Sequence, residues 1–293
     1  MYHLENETLK IAIHGVGAEL KSVKHKQHAI DYMWRADPEF WGRTSPILFP
    51  IVGRLTNNTT LINGQIYEIM QHGFARDDVF DCVHHDANSA HFVLHAQTEH
   101  QARYPFNFVL SVIYRLTENS LRVTWHVDNP NACSLPFSIG AHPAFSTQLH
   151  ADDQFEDYNV IFDTHQQYHL WQLNERMQLV AKDIPFQEPL QQFALSYHYF
   201  EVDALVFPHQ QIQQITLKNR HHGHGVTVDF KGFPEVALWT ADGKHKRSPF
   251  LCIEPWFGHA DLENGAPELV NKRGIMQLGS GERFTAEYQI VFF

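Results

Sequence analysis

Three short segments, far apart in the 293-residue chain, each carry one side chain that can move protons near neutral pH. They are residues 71–77 (QHGFARD), 140–145 (GAHPAF) and 252–258 (CIEPWFG), and the side chains are His72, His142 and Glu254. Two imidazoles and one carboxylate form a candidate set for general acid/base catalysis. The three residues can act together only if the fold brings distant strands to one cleft, as a rigid sheet scaffold can do.

A proline follows both His142 and Glu254. Pro143 favours an extended, fixed backbone at His142. Glu254 follows the apolar residues 250–253 and precedes Pro255 and an aromatic pair, so burial without a cation would raise its pKa and make it a better proton acceptor. The structural alternatives are a hydrogen-bonded core histidine and a glutamate paired with a basic residue. The combination of all three segments favours a functional role.

Two arginines and one further acid are candidates for holding a ligand. Arg54 ends the apolar run at residues 46–54, and Arg76 lies in QHGFARD. A guanidinium binds hydroxyl pairs or phosphate through parallel N–H donors. Asp203 lies in the apolar segment YFEVDALVFP and can accept hydrogen bonds from two hydroxyls. Ion pairing within the protein, for example between Arg76 and Asp77, is the structural alternative.

The elements that must position these residues are predicted to be β-strands. Apolar residues alternate with polar ones in five runs, beginning at Leu9, Phe92, Phe108, Leu121 and Val226. A period of two is typical of half-buried strands. Turn signals such as Asn63-Gly64, Lys231-Gly232 and Asp242-Gly243 separate the runs. The pattern predicts an all-β fold, a large antiparallel β-sandwich that forms one domain over residues 1–293.

Helical periodicity is scarce. The clearest helix candidate is a short one that opens at Asp37 and Pro38, where aspartate can cap the helix and proline can occupy its first turn. In that helix Phe40 and Trp41 would pack inward.

Composition limits the classes of partner. The chain has 22 Lys and Arg against 33 Asp and Glu, a formal net charge of −11, which disfavours nucleic acid and anionic membranes. No stretch approaches the ~20 apolar residues of a membrane span. The first ten residues lack the pattern of a signal peptide, which predicts a cytoplasmic protein. A small molecule is the expected partner. The sequence does not decide between a monomer and a homodimer.

No motif indicates a metal or an organic cofactor. The three cysteines, Cys82, Cys133 and Cys252, include no CxxC pair. The tract at residues 221–224 (HHGH) lacks a ligand spacing such as HExxH, so a loop there would bind metal weakly. Neither GxGxxG before a helix nor a Walker motif is present. The sequence therefore predicts no tightly bound metal and no nucleotide cofactor.

Five ordered segments resemble the aldose 1-epimerase (galactose mutarotase-like) superfamily over nearly the full length. They are residues 41–55 (WGRTSPILFPIVGRL), 71–77, 140–145, 203–207 (DALVF) and 252–258. They are especially similar to the divergent branch associated with lactose-utilisation gene clusters. The resemblance implies a β-supersandwich that interconverts the α and β anomers of a free aldohexose without metal or organic cofactor.

The resemblance also implies a role for each candidate residue. Glu254 would be the base that removes the anomeric hydroxyl proton, and His142 the acid that protonates the ring oxygen. Ring opening, rotation about C1–C2 and reclosure would give the other anomer. His72 and Arg54 would hold ring and hydroxyl oxygens, and Asp203 would accept sugar hydroxyls.

Because of two departures from the galactose mutarotase pattern, the sequence does not identify the substrate sugar. Gly53 precedes Arg54 where that branch has asparagine, and Gly73-Phe74 follows His72 where it has a second glycine. The QHGFAR segment also resembles hexose-6-phosphate mutarotases, in which arginines grip the phosphate. Arg76 and the basic loop at residues 244–247 would suit that activity. A third possibility is a carbohydrate-binding regulator, which would not need an acid/base pair.

Overall fold

The computed structural model describes residues 1–241 and 245–293, and antiparallel β-strands dominate it. In chain order the first strands are β1 (Tyr2–Glu5), β2 (Leu9–Ile13), β3 (Leu20–His25), β4 (Ile30–Asp31), β5 (Ile47–Leu48), β6 (Thr59–Ile62), β7 (Gln65–Glu68), β8 (Asp81–His85), β9 (Ser89–His95), β10 (Val109–Thr117), β11 (Ser120–Asp128) and β12 (Leu135–Phe137). The remaining strands are β13 (Ile139–Ala141), β14 (Ala144–Ser146), β15 (Tyr158–Leu173), β16 (Leu179–Ala194), β17 (Leu205–Phe207), β18 (Gln214–Asn219), β19 (Gly225–Asp229), β20 (Glu235–Trp239), β21 (Phe250–Phe257), β22 (Met276–Leu278) and β23 (Arg283–Phe292).

Helical structure in the described residues is short. The α-helix α1 spans Thr98–Gln101, and 3-10 turns span Thr56–Asn58, Ala75–Asp77, Phe155–Asp157, Tyr197–Phe200 and Leu269–Asn271. None of these elements has the length and apolar character needed to cross a lipid bilayer. The prediction of an all-β chain is confirmed.

One large sheet runs through the molecule in the order β5-β13-β21-β20-β17-β15-β18-β19-β23-β11-β10-β9-β8. The long strand β15 joins its two halves, because its first residues pair with β18 while Trp171, near its end, pairs with Val206 of β17. The halves face each other across the core, where Phe257 of β21 meets Phe284 of β23 with ring centroids 5.1 Å apart. This arrangement is the predicted antiparallel β-sandwich.

Strands β10 and β11 show why the alternating pattern gave the correct fold. Leu121, Val123, Trp125 and Val127 of β11 are all buried, while the intervening residues are not. Each buried side chain lies opposite an apolar residue of β10 in the antiparallel register. The hydrophobic set of one face therefore fixes the register, since a slip of one residue would turn every side chain to the wrong face.

Strand β21 is buried on both faces, unlike β10 and β11 in the other half of the sheet. Leu251 and Ile253 point into the main core. Glu254 and Trp256, which alternate with them, line a cavity on the opposite face. The strand thus links the core of the sandwich directly to the candidate site.

The predicted helix at Asp37 is wrong, because the chain makes a single turn there. Asp37 does cap the turn, as its Oδ1 accepts a hydrogen bond from the Glu39 N–H at 3.1 Å. A second helical turn would need the Trp41 carbonyl to accept from Ser45. Instead the Trp34 indole donates to that carbonyl at 2.8 Å, and the Ser45 N–H donates to the Glu19 carboxylate at 2.9 Å.

Candidate active site

All six residues singled out from the sequence line one cavity of about 290 Å³. They are Arg54, His72, Arg76, His142, Asp203 and Glu254. Three indoles, those of Trp41, Trp239 and Trp256, line the same cavity. A concave site with a few convergent polar groups among aromatic faces is typical of a small-molecule pocket, and indole faces suit the C–H surface of a sugar ring.

Sheet register places His142 directly across from Glu254. Gly140 pairs with Trp256, and Ala144 pairs with Cys252, so the two ladder segments keep a single register on either side of the His142-Pro143 break. At this break His142 Nε2 lies 3.2 Å from Glu254 Oε2. The antiparallel ladder, rather than a loop, therefore sets the contact between the two groups.

Aromatic packing fixes the plane of the His142 ring. Trp41 stacks on it with centroids 4.7 Å apart and planes at 25°, and Trp239 meets it edge-on at 5.5 Å. Within the described residues the buried Nδ1 of His142 has no hydrogen-bond partner. The imidazole is thus oriented by its aromatic neighbours and by Glu254.

Burial changes the acid/base character of both groups. Burial, together with the negative charge of Asp203, raises the pKa of Glu254 well above its usual range. Burial lowers the pKa of His142 to about 3, and the positive charge of Arg76 acts in the same direction. Both effects favour the uncharged forms, so the pair shares a proton across the 3.2 Å contact and titrates as a unit.

His72 is held by a reciprocal pair of hydrogen bonds with Gly53. The Gly53 N–H donates to His72 Nδ1 at 3.1 Å, and the His72 N–H donates to the Gly53 carbonyl at 2.8 Å. Because Nδ1 accepts a hydrogen bond, the ring proton of neutral His72 lies on Nε2. Burial keeps the ring neutral by lowering its pKa. His72 therefore offers a donor beside His142, with ring centroids 5.5 Å apart.

Glycine is required at position 53. Its φ is +73°, and a Cβ there would lie 2.6 Å from the Cα of Ala260. An asparagine at position 53 would need the backbone here or at Ala260 to move.

The two arginines occupy different depths of the cavity. Arg54 is exposed, and its Nη2 donates to Gln71 Oε1 at 3.0 Å. Arg76 is only 17% exposed and donates from Nη2 to the Gln71 carbonyl at 2.6 Å. Its Nε lies 3.9 Å from Asp77, beyond hydrogen-bonding distance, and Asp77 instead pairs with Arg43 at 2.8 Å. Arg76 thus carries a poorly neutralised charge into the site.

Asp203 contributes a carboxylate near Glu254. Its Oδ1 accepts a hydrogen bond from the Ala204 N–H at 2.9 Å. Burial raises the pKa of Asp203, while the Ala204 N–H, the Trp239 indole and Arg54 oppose that rise. Held by this contact, the Asp203 carboxylate can accept hydrogen bonds from hydroxyl groups in the cavity.

The aldose 1-epimerase family model matches residues 1–268. The chromosomal LacX protein of Lactococcus lactis is 34% identical over 271 residues, covering 89% of each protein. A galactose mutarotase related enzyme from Lactobacillus acidophilus has 31% identity and a TM-score of 0.94, over 100% of this chain and 97% of that one. A galactose mutarotase-like protein from Lactobacillus casei has 29% identity and a TM-score of 0.93, over 100% of both chains.

The chain belongs to the aldose 1-epimerase family. The match to LacX agrees with the resemblance of its motifs to the branch associated with lactose-utilisation gene clusters.

The sequence patterns did not predict one part of the cavity wall. Leu173, Met177 and Leu179, at the tip of the β15–β16 hairpin, line the cavity. Gln178 holds the tip in place by donating to Thr56 Oγ1 at 2.8 Å. The 16-residue strand β15 leads to this tip. The apolar residues at 173 and 179 were the available signal.

The acid/base pair also lies near a thiol. Ligand atoms of His142, Cys252 and Glu254 are within 4.8 Å of one another. Burial raises the pKa of the Cys252 thiol well above its usual range, so it stays protonated and is a poor metal ligand. The donor set therefore fits acid/base chemistry better than metal binding, and the absence of a tightly bound metal stays a prediction.

The basic loop at residues 244–247 is not part of the cavity wall where the structure describes it. Lys246 Nζ donates to the Glu39 carbonyl at 2.8 Å, and the Arg247 guanidinium lies 5.9 Å from the Tyr197 ring centre. Lys244, like the predicted turn at Asp242 and Gly243, lies outside the described residues.

Proposed function

We propose that the protein is a mutarotase that interconverts the α and β anomers of a free aldohexose. The observation that carries this proposal is the 3.2 Å contact between His142 Nε2 and Glu254 Oε2 in a cavity lined by indoles. An acid and a base that nearly touch can serve the ring oxygen and the anomeric hydroxyl of one sugar, because both oxygens are bonded to the same carbon.

Ring opening needs one proton to leave O1 and one to reach the ring oxygen. When the shared proton lies on His142, Glu254 is a carboxylate that accepts the O1 proton while the His142 imidazolium protonates the ring oxygen. The C1–ring oxygen bond breaks, its electron pair stays on the ring oxygen, and the C1=O1 double bond forms. The pair ends as carboxylic acid and neutral imidazole, so its total proton count is unchanged.

These two proton transfers are consistent with the electrostatics of the site. Burial favours the uncharged pair, which is the state the pair reaches when the sugar is open. Rotation about C1–C2 presents the other face of the aldehyde, and the reverse transfers close the ring. Each group acts once as acid and once as base in a full cycle.

The remaining polar residues have positioning roles in the proposal. His72 Nε2–H donates to a sugar oxygen beside His142, and Asp203 accepts from hydroxyls. Arg54 at the mouth and Arg76 deeper in the cavity donate to further oxygens. The indole faces cover the C–H surface of the ring.

A hexose-6-phosphate mutarotase is the second candidate, favoured by the poorly neutralised charge of Arg76. The described part of the basic loop does not support it, because Lys246 and Arg247 contact Glu39 and Tyr197 instead of the cavity. The free sugar is therefore the first choice.

Anomer exchange measured by NMR across glucose, galactose and their 6-phosphates tests the proposal. We expect enzyme-dependent exchange of at least one free hexose. Exchange confined to the 6-phosphates would establish the second candidate. Exchange no faster than buffer on all four sugars, combined with sugar binding by calorimetry, would identify a carbohydrate-binding regulator instead.

A further inference from the structure

Among the residues that the structure describes, five histidines from three distant segments meet at the surface. His25 and His28 flank the β3–β4 turn, His150 follows β14, and His222 and His224 lie in the β18–β19 turn. Neighbouring ring centroids are 4.1 Å apart for the first pair, 4.7 Å for His28 and His224, and 4.5 Å for His150 and His222. None of the five lines the sugar-binding cavity.

Three of these side chains have the separation expected of metal ligands. Ligand nitrogens of His150, His222 and His224 all lie within 4.8 Å of one another. In a tetrahedral zinc site the ligand atoms are roughly 3.3 Å apart, given Zn–N distances near ~2.0 Å. His150 is exposed, so its ring can rotate toward an ion without displacing core residues.

A partly buried carboxylate lies beside the group. His222 Nε2 lies 3.2 Å from both oxygens of Asp153. Asp153 is itself fixed, since its Oδ2 accepts from the His150 N–H at 2.9 Å and from the Tyr158 hydroxyl at 2.8 Å. The 3.2 Å separation is close to the roughly 3.3 Å between two ligand atoms of a tetrahedral zinc site.

We propose that His150, His222 and His224, with Asp153, bind an exchangeable divalent late transition-metal ion such as Zn²⁺. The three imidazole nitrogens and an oxygen of Asp153, which lies beside His222, would supply the four ligands, and imidazole suits zinc, nickel and copper. The ion takes the place of the proton that His222 Nε2 shares with Asp153, and that proton leaves to solvent.

The site would join two loops that the chain connects only through long strands. His150 and Asp153 belong to the loop before β15, and His222 and His224 to the turn before β19. A ligand that binds only the folded state stabilises it by mass action. The bound ion is therefore expected to raise thermal stability without changing the chemistry in the cavity.

The test uses full-length protein without a His tag, stripped with chelator and titrated with ZnCl₂ by calorimetry. We expect one Zn²⁺ per chain. His150→Ala, His222→Ala and His224→Ala should each weaken binding at least about tenfold, as loss of a supporting group costs ~10–100-fold. The matched control is His221→Ala in the same turn, whose ring lies 3.1 Å from Asp157 rather than in the cluster. It should keep wild-type affinity.

Two further readouts keep the outcome decisive. Co²⁺ substitution should give the intense visible absorption of a tetrahedral site, and each variant should melt like wild type in chelator. The proposal would be overturned if the wild type bound no zinc, or if the variant with all three substitutions His150→Ala, His222→Ala and His224→Ala still bound it. It would also be overturned if His221→Ala weakened zinc binding as much as the other substitutions.

Discussion

The histidine of the cavity, His142, and the histidines of the surface cluster differ in the structure that positions their rings. In the cavity His142 is set by a strand ladder opposite Glu254 and is enclosed by indoles. In the surface cluster His150 and His224 are set by turns. Burial within a sheet controls the pKa and orientation of an imidazole, which suits proton transfer. Exposed turns leave ring nitrogens accessible to ions and free to adjust around them.

The largest expected effect is the loss of the base. Glu254→Gln should lower kcat by roughly 10²–10⁴-fold, because an amide cannot accept the anomeric proton. The assay is polarimetry of freshly dissolved α-hexose, corrected for spontaneous mutarotation. Glu235→Gln is the control, since Glu235 pairs with Trp256 on the adjoining strand but does not line the cavity. Wild-type turnover in Glu254→Gln would contradict the assignment.

Loss of the acid should be similar in size and should not add to the first loss. His142→Asn is expected to lower kcat by roughly 10²–10⁴-fold. Because the two proton transfers belong to the same ring-opening step, the double variant with Glu254→Gln should lose far less than the product of the single losses. A multiplicative loss in the same assay would mean that the groups act independently.

One substitution should weaken metal binding by the surface cluster and leave the reaction in the cavity unchanged. Asp153→Asn is expected to weaken Zn²⁺ binding by about 10–100-fold, because it removes the carboxylate beside His222. Mutarotation by the same variant should stay at the wild-type rate, since Asp153 does not line the cavity. A parallel loss of turnover would show that the two regions are coupled.

Arg54 should affect binding more than chemistry. Arg54→Ala removes charge-assisted hydrogen bonds at an exposed mouth, so KM should rise about tenfold with kcat little changed. Arg35→Ala is the control, because Arg35 is 74% exposed and pairs with Asp37 outside the cavity. A KM effect seen only with hexose 6-phosphates would favour the second candidate function.

The smallest effect is a pH dependence of stability. The pKa of His142 is lowered to about 3 in the folded protein, while an unfolded histidine titrates near ~6.5. Between these values the unfolded chain binds one more proton at this residue, so the contribution of His142 to the free energy of unfolding falls as pH falls, by up to about 1.4 kcal/mol per pH unit, whereas the raised pKa of Glu254 acts in the opposite direction. Urea unfolding at pH 4 to 7 should show a shallower fall for His142→Asn. An equal slope in both proteins would contradict a neutral, buried His142.

Local patterns were sufficient where the physical constraint is local. Alternating apolar residues in β10 and β11 predicted half-buried strands, and the structure buries those residues. The six polar candidates were found because charged groups within apolar strands need a partner or a use. The helix expected at Asp37 is absent because the Trp34 indole binds the Trp41 carbonyl and the Glu19 carboxylate binds the Ser45 N–H, and the contact with Glu19 has no local sequence signal.

The sequence by itself determined the β-sandwich, the family and the chemical types in the cavity, because strand alternation and side-chain chemistry are written residue by residue. Only the tertiary structure decided that His142 faces Glu254 at 3.2 Å, that Lys246 and Arg247 contact Glu39 and Tyr197, and that His150 joins the histidines of the β18–β19 turn. These facts depend on sheet register and loop packing between segments about a hundred residues apart or in different layers. No local pattern contains them, since each distance results from the packing of the whole core.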